Sequence, residues 1–279
     1  MNKTVEDLVF DGIRKTINRF REKPFFYFTE ADIHSSLLND MRSGGSGILS
    51  KRIKNIEVSL VHQEYPTNFR YKKENLLSGY EEYWGNTTLD TKNQHGDRGN
   101  FDLVILNDQF VERMIKSFSN NQEALDHIIN KDIKLTQERM RNLDEFNQEI
   151  LYAIEVKFLH SFNSRNKAML DEVIKDNEKL RLAYKNSDKN TRTINLVFCS
   201  SSENHVRSDK KESVIWKIRK YIGNGKINDY QGKEYILPDN VLAIFIESFL
   251  EEKKGKVTER PIISVTPDEK WNKKLRDMI

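Results

Sequence analysis

The sequence lacks the residues on which several classes of protein depend. Its 279 residues include a single cysteine, Cys199, which excludes a framework of disulfide bonds within the chain. No stretch approaches the ~20 apolar residues of a transmembrane helix. The polar start of the chain, with Glu6 and Asp7, lacks the apolar segment of a signal peptide. We therefore expect a soluble, cytoplasmic protein with no membrane partner.

A strong charge of one sign and a histidine-rich segment are also absent. Lysine and arginine number 46 against 43 acidic residues, so the formal net charge is +3. A balance this small permits nucleic-acid binding where basic residues cluster, but it does not indicate such binding by itself. The lack of a histidine-rich ligand cluster counts against a zinc enzyme.

Helical periodicity and short apolar runs alternate along the chain. The patterns predict helices over 5–20, 29–42, 166–184 and 211–221, a mostly helical segment over 110–146, and strands over 56–65, 101–106, 150–158, 193–199 and 241–248. This order predicts an α/β fold with a mixed central sheet flanked by helices.

The same patterns suggest how the chain is organised. We expect one domain over residues 1–250 and a charged C-terminal extension over 251–279, as a peripheral helix or a loose tail. Polar residues 67–100 are interpreted as an irregular excursion or lid, because structureless loops of that length are uncommon in compact domains.

Two predicted strands carry charged residues inside otherwise apolar runs. Asp102 lies in the strand at 101–106, and Glu155 and Lys157 lie in the strand at 150–158. Because side chains alternate along a strand, Glu155 and Lys157 share one face, roughly 7 Å apart. Buried charges are costly unless they bind a metal, take part in chemistry or form ion pairs. Edge positions and simple ion pairs therefore remain alternatives.

These three residue types suit the hydrolysis of phosphodiester bonds. A divalent cation can polarise the phosphate and activate a water molecule, and Mg²⁺ is bound by one or two carboxylates. Asp102 and Glu155 are the candidate metal ligands. Lys157 can hold the attacking water or stabilise the charged transition state. The pattern predicts a magnesium-dependent nuclease in which Mn²⁺ can substitute.

Asp102 followed by Glu155-Val156-Lys157 resembles the motif of the PD-(D/E)XK nuclease superfamily, which includes restriction endonucleases, junction resolvases and repair nucleases. The resemblance implies a restriction-endonuclease-like core over about 29–200, with the aspartate on the second core strand and the Glu-x-Lys pair on the third. It also implies DNA as the partner. Two features depart from the family pattern: Phe101 stands in place of the proline, and a helical insertion over about 110–147 separates the two strands.

Glu30 is a fourth candidate for catalysis and metal binding. Helical periodicity places it near the middle of the apolar face of the second helix, and the family often draws a metal-linked glutamate from this helix. The helix dipole alone also favours a glutamate in the first turn. Glu64 is an alternative to Glu30, whereas nearby His34 is interpreted as a packed or hydrogen-bonded histidine.

Three basic residues are candidates for binding DNA. Arg98 lies in a glycine-containing turn before the aspartate strand, where it could clamp a phosphate. Arg165 and Lys179 belong to a basic segment that could follow a nucleic-acid backbone. Asp176 and Lys179 also match an Asp-x-x-Lys-Leu pattern of the superfamily, although pairing between neighbouring turns of a helix explains the spacing equally well. A homodimer and a non-catalytic nucleic-acid-binding or protein-interaction module on the same fold remain open.

Overall fold

The computed structural model describes residues 3–43, 47–53, 56–66, 70–72, 81–83, 100–116, 149–160, 168–187, 189–202, 213–228, 232–251, 256–259 and 263–265. Within these ranges the helices are α1 (Val5–Glu22), α2 (Glu30–Ser43), α3 (Asp108–Lys116), α4 (Ala168–Asn186) and α5 (Val214–Asn224), with a short 3₁₀ helix at Pro24–Phe26. The strands are β1 (Ser50–Ile53), β2 (Ile56–Ser59), β3 (Val61–Pro66), β4 (Arg70–Lys72), β5 (Glu81–Tyr83), β6 (Asn100–Leu106), β7 (Ile150–His160), β8 (Arg192–Ser202), β9 (Lys226–Asn228), β10 (Glu234–Ile236), β11 (Val241–Glu251), β12 (Lys256–Glu259) and β13 (Ile263–Val265). No helix in the described part of the chain is both long enough and apolar enough to cross a membrane.

The fold is mixed α/β, as the sequence predicts. Its main sheet has the hydrogen-bonded order β12–β11–β8–β7–β6–β3, and β13 also pairs with β11. The sheet is mixed because β8 and β11 are parallel whereas β3 and β6 are antiparallel. Parallel neighbours need a crossover connection, and the chain between β8 and β11 contains α5.

The chain divides into two compact units. Unit 1 comprises Met1–Gly44, Ile154–Arg181 and Thr193–Ile279, and unit 2 comprises Gly45–Ala153 and Leu182–Arg192. The core of unit 1 includes apolar residues of α4 and α5 together with Leu159, Val197 and Phe245 of its strands. Burial of these side chains is the main favourable contribution to folding.

Helices α1 and α2 form a second layer of unit 1. The ring of Phe20 on α1 lies 6.0 Å from that of Phe158 and 5.1 Å from that of Phe198, measured between centroids. Because successive strand residues point to opposite faces, Phe158 and Leu159 contact different layers. The strands of unit 1 are therefore covered by helices on both faces.

A buried carboxylate ties α1 to α2. Asp40 is only 3 % exposed. It accepts hydrogen bonds from Thr16 Oγ1 at 2.9 Å and from Arg19 Nη2 at 2.7 Å. The two helices approach closely at Gly12, where an added Cβ would lie 2.5 Å from Met41 Cγ. Glycine is therefore needed at this crossing.

Unit 2 has its own antiparallel strand pairs. β1 pairs with β2, β4 with β5, and β3 with β6. Lys51 of β1 binds Asp108 and Glu112 of α3 at 3.0 and 3.3 Å. The Tyr65 hydroxyl donates a hydrogen bond to the buried carboxylate of Glu149.

The prediction of one strand over 56–65 was wrong. The segment forms β2 and β3, which pair with different strands. Ser59 Oγ accepts a hydrogen bond from the Val61 N–H at 3.2 Å and donates one to the Val61 carbonyl at 3.0 Å. Such local bonds compete with strand pairing, so the chain changes partner at this point.

The C-terminal extension also differs from the prediction of a helix or a loose tail. Its described residues form β12 and β13, which pair with β11 in antiparallel register. Short strands also occur at β4 and β5 within the segment interpreted as irregular. Of the predicted helical insertion, α3 is described as far as Lys116, and residues 117–147 lie outside the described residues.

Candidate functional site

Strand β7 carries Glu155 and Lys157 at the positions that the sequence indicates. Glu155 is 1 % exposed and lies between Ile154 and Val156, which are fully buried. The side chain of Lys157 is 19 % exposed. Because burial penalises an isolated charge, both groups need partners of opposite charge.

Helix α4 supplies the partner of Glu155. Lys179 Nζ lies 2.6 Å from Glu155 Oε2, within hydrogen-bond distance. Lys179 is 15 % exposed and also lies 3.9 Å from Asp176 one turn earlier. Such a charge-assisted hydrogen bond satisfies Oε2 of the buried carboxylate. Lys179, which the sequence suggested for DNA binding, therefore forms an ion pair with Glu155, one of the predicted metal ligands. Contact of Lys179 with DNA stays a prediction.

Carboxylates from two helices surround Lys157. Its Nζ lies 3.4 Å from Glu30 Oε2 on α2, and 3.8 Å from both Glu172 Oε2 and Asp176 Oδ2 on α4. We call the connected ion pairs the Lys157 network, whose members are Glu30, Glu155, Lys157, Glu172, Asp176 and Lys179. Its carboxylates outnumber its ammonium groups by two, so the network carries excess negative charge.

Local sequence explains why Glu30 reaches β7. Thr29 and Asp32 cap α2 reciprocally: the Thr29 N–H donates to Asp32 Oδ2 at 2.8 Å, and the Asp32 N–H donates to Thr29 Oγ1 at 3.3 Å. Ile33 and Leu37 on the inner face of the helix are fully buried. Glu30 Oε2 then accepts a hydrogen bond from the Phe158 N–H at 3.1 Å. Glu30 therefore lies against the strand that carries the Glu-x-Lys pair.

We expect Thr29→Ala to lower the free energy of unfolding by about 1 kcal/mol, the usual effect of losing an N-cap side chain. Chemical denaturation checks this, with Thr29→Ser as the matched control that keeps the cap. Equal stability of Thr29→Ala and wild type would contradict the assignment of this cap.

The same cap should make stability depend on pH. Hydrogen bonds from the Phe28 and Thr29 N–H groups hold the pKa of Asp32 below its usual 3.8. The stabilising contribution of Asp32 is therefore fully present above pH 3.8 and is lost as the pH falls through the lower pKa of the folded state. Asp32→Asn should remove this part of the acid-induced loss of stability in melts recorded at several pH values.

Helix α2 of unit 1 carries two side chains that could ligate a metal ion, Glu30 and His34. Asp102 lies on β6 in unit 2 and is partly buried. His34 follows Glu30 by four residues and so shares a face of α2. Carboxylates are ligands for Mg²⁺, and imidazole is common around transition metals. The donors are therefore compatible with more than one divalent ion.

The other candidates from the sequence are placed as follows. Glu64 is exposed on β3, has a positive φ of 50°, and has its Oε2 3.5 Å from Asn100 Nδ2. Arg98 and Arg165 lie outside the described residues.

Sequence reasoning missed one member of the Lys157 network and one contact of another. Glu172 was not considered. For Asp176 the sequence left two explanations open, the Asp-x-x-Lys-Leu pattern of the superfamily and pairing with Lys179 along the helix. That pairing exists, but Asp176 also faces Lys157. The spacing of Glu172 and Asp176 by four residues, which places them on one face of α4, was the available signal.

Comparison of the chain with protein-family models, curated proteins and solved structures finds no match in any of the three.

Proposed function

We propose that this protein is a magnesium-dependent endonuclease that hydrolyses phosphodiester bonds in DNA, on a core like that of restriction endonucleases. The observation that carries the proposal is the Lys157 network, in which ion pairs connect Glu30, Glu155 and Lys157. These are three of the four residues that the sequence analysis indicates for catalysis. The fourth, Asp102 on β6, is the remaining proposed metal ligand.

The donor chemistry of these residues fits a divalent cation. The Lys157 network has two more carboxylates than ammonium groups, and one divalent cation would balance this excess of acidic groups. Carboxylate oxygens are also ligands that suit Mg²⁺. Asp102, Glu155 and Glu30 would hold the ion. When bound, it would supply polarisation of the phosphate and an acidified water molecule.

The chain's own residues would perform the remaining steps. Lys157, held among carboxylates, keeps an N–H donor close to the proposed metal ligands, where it can orient a water or stabilise negative charge on the phosphate. Lys179 Nζ, 2.6 Å from Glu155 Oε2, places a positive charge beside this buried carboxylate. Glu30, fixed by the Phe158 N–H, orients the Lys157 ammonium.

The experiment that tests the proposal combines cleavage with thermal melting. Plasmid, linear, branched and single-stranded DNA are incubated with the protein and Mg²⁺, Mn²⁺ or EDTA. We expect metal-dependent cleavage by the wild type, together with a higher melting temperature when the ion binds the folded state. Asp102→Asn should lose both effects, whereas Asp239→Asn, an exposed carboxylate in the turn before β11, should keep them.

One result would replace the proposal with its alternative. If the wild type cleaves none of the four DNA forms and its melting temperature does not respond to metal, a non-catalytic nucleic-acid-binding or protein-interaction module is the better conclusion.

A further inference from the structure

Two large aromatic side chains are exposed immediately before α2. Phe26 is 72 % exposed and Phe28 is 74 % exposed. Within the described residues, only Ile236, at 64 %, joins them as an exposed large hydrophobic side chain. Phe26 and Phe28 therefore lie only two residues apart. Neighbouring exposed apolar side chains indicate a binding surface, whereas single scattered ones do not.

The segment between them is held in place. Tyr27 is only 6 % exposed, with its ring 5.6 Å from that of Phe20 and its hydroxyl 3.3 Å from Ser36 Oγ. The Phe28 N–H donates to Asp32 Oδ2 at 2.9 Å. Because Tyr27 is anchored inwards, the exposed ring on either side of it is presented by a fixed backbone. A ligand that binds these rings has little chain entropy to overcome.

Charge and position indicate the kind of ligand. Lys23 Nζ lies 5.5 Å from the centre of the Phe26 ring, and Arg21 lies in the last turn of α1. Phe28 precedes Glu30 by two residues, so their Cα atoms are at most about 7 Å apart. Exposed rings beside basic groups are how proteins bind single-stranded nucleic acid, since each base offers a flat face for stacking.

We propose that Phe26 and Phe28 form a stacking platform for unpaired bases, so that the Lys157 network acts on single-stranded or locally unpaired DNA. This inference rests on the proposed function and adds the substrate class to it. A base inside a duplex already has both faces stacked, so only an unpaired base can use the platform. Lys23 then lies where it can pair with a phosphate of the same strand.

Binding in EDTA, where metal-dependent cleavage cannot occur, tests the platform. Fluorescence anisotropy is measured with a labelled single-stranded oligonucleotide, an abasic strand of equal length, and a duplex. Phe26→Ala and Phe28→Ala should each weaken single-strand binding roughly tenfold or more, with little change for the abasic strand. Phe26→Trp with Phe28→Trp should retain binding, and Ile236→Ala is the matched control.

The outcomes separate this inference from the proposed function. The platform would be overturned if the wild type and both alanine variants bind the single strand with equal affinity. It would also be overturned if the alanine substitutions instead abolish self-association of the protein or its binding to lipid vesicles. If the wild type still cleaves DNA in a metal-dependent way when the platform is overturned, the proposed nuclease function is retained. If the wild type cleaves no DNA but the alanine variants bind the single strand more weakly, the stacking platform is supported and the nuclease function is contradicted.

Discussion

Lys157→Ala should lower the rate of metal-dependent DNA cleavage by about 10²–10⁴-fold, the range for removing a positioned proton-transfer group or a donor to developing charge. DNA affinity and the metal-dependent rise in melting temperature should remain, because the ammonium serves the transition state rather than the bound ground state. Single-turnover cleavage, anisotropy and thermal melting measure the three quantities on one preparation.

A surface lysine provides the control for this change. Lys226 is 66 % exposed and pairs at 3.5 Å with Glu234 in a neighbouring strand. Lys226→Ala removes the same charge from unit 1 and should leave the cleavage rate unchanged. If Lys157→Ala cleaves as fast as Lys226→Ala, Lys157 serves only the ion pairs of the fold.

Lys179→Met should destabilise the metal-free protein by about 3–5 kcal/mol, the usual effect of removing one partner from a buried pair. Glu155 is 1 % exposed, and Lys179 is the ammonium in hydrogen-bond contact with it. Methionine keeps much of the apolar stem while removing the charge. Chemical denaturation in EDTA measures the loss, and added Mg²⁺ should recover part of it if Glu155 is a metal ligand.

The double variant Glu155→Gln with Lys179→Met completes a thermodynamic cycle. Removing both charges should recover part of the stability that Lys179→Met alone loses, because no buried charge is then left without its counter-ion. A single variant as stable as the wild type would show that water already compensates Glu155. A double variant less stable than either single variant would assign the effect to packing.

The sequence predicted best those strands whose own residues determine them. Residues 101–106 and 150–158 were predicted as strands, and β6 and β7 extend them by no more than two residues at any end. Both runs are rich in apolar and β-branched residues, which favour a buried strand in any context. β9 and β10 were missed, because three residues are too few to show alternation and each strand depends on pairing with the other.

The candidate site was predictable to the extent that one element determines it. The apolar face of α2, with Ile33, Leu37 and Met41 fully buried, already indicated that Glu30 faces inwards. The contact of Asp176 with Lys157 could not be read from α4 alone. Its neighbour Lys179 provided a sufficient local explanation, and only the packing of α4 shows the second partner.

The hydrogen bond from the Phe158 N–H to Glu30 has a consequence for the order of folding. It joins residues 128 positions apart, whereas the Thr16–Asp40 bond between α1 and α2 spans 24. Closing the longer loop carries the larger entropic cost, and distant contacts form more slowly than local ones. The α1–α2 pair can therefore assemble early in folding, while Glu30 meets Lys157 only after β7 has docked. Under the proposed function, the Lys157 network would therefore be completed only late in folding, after the α1–α2 pair has formed.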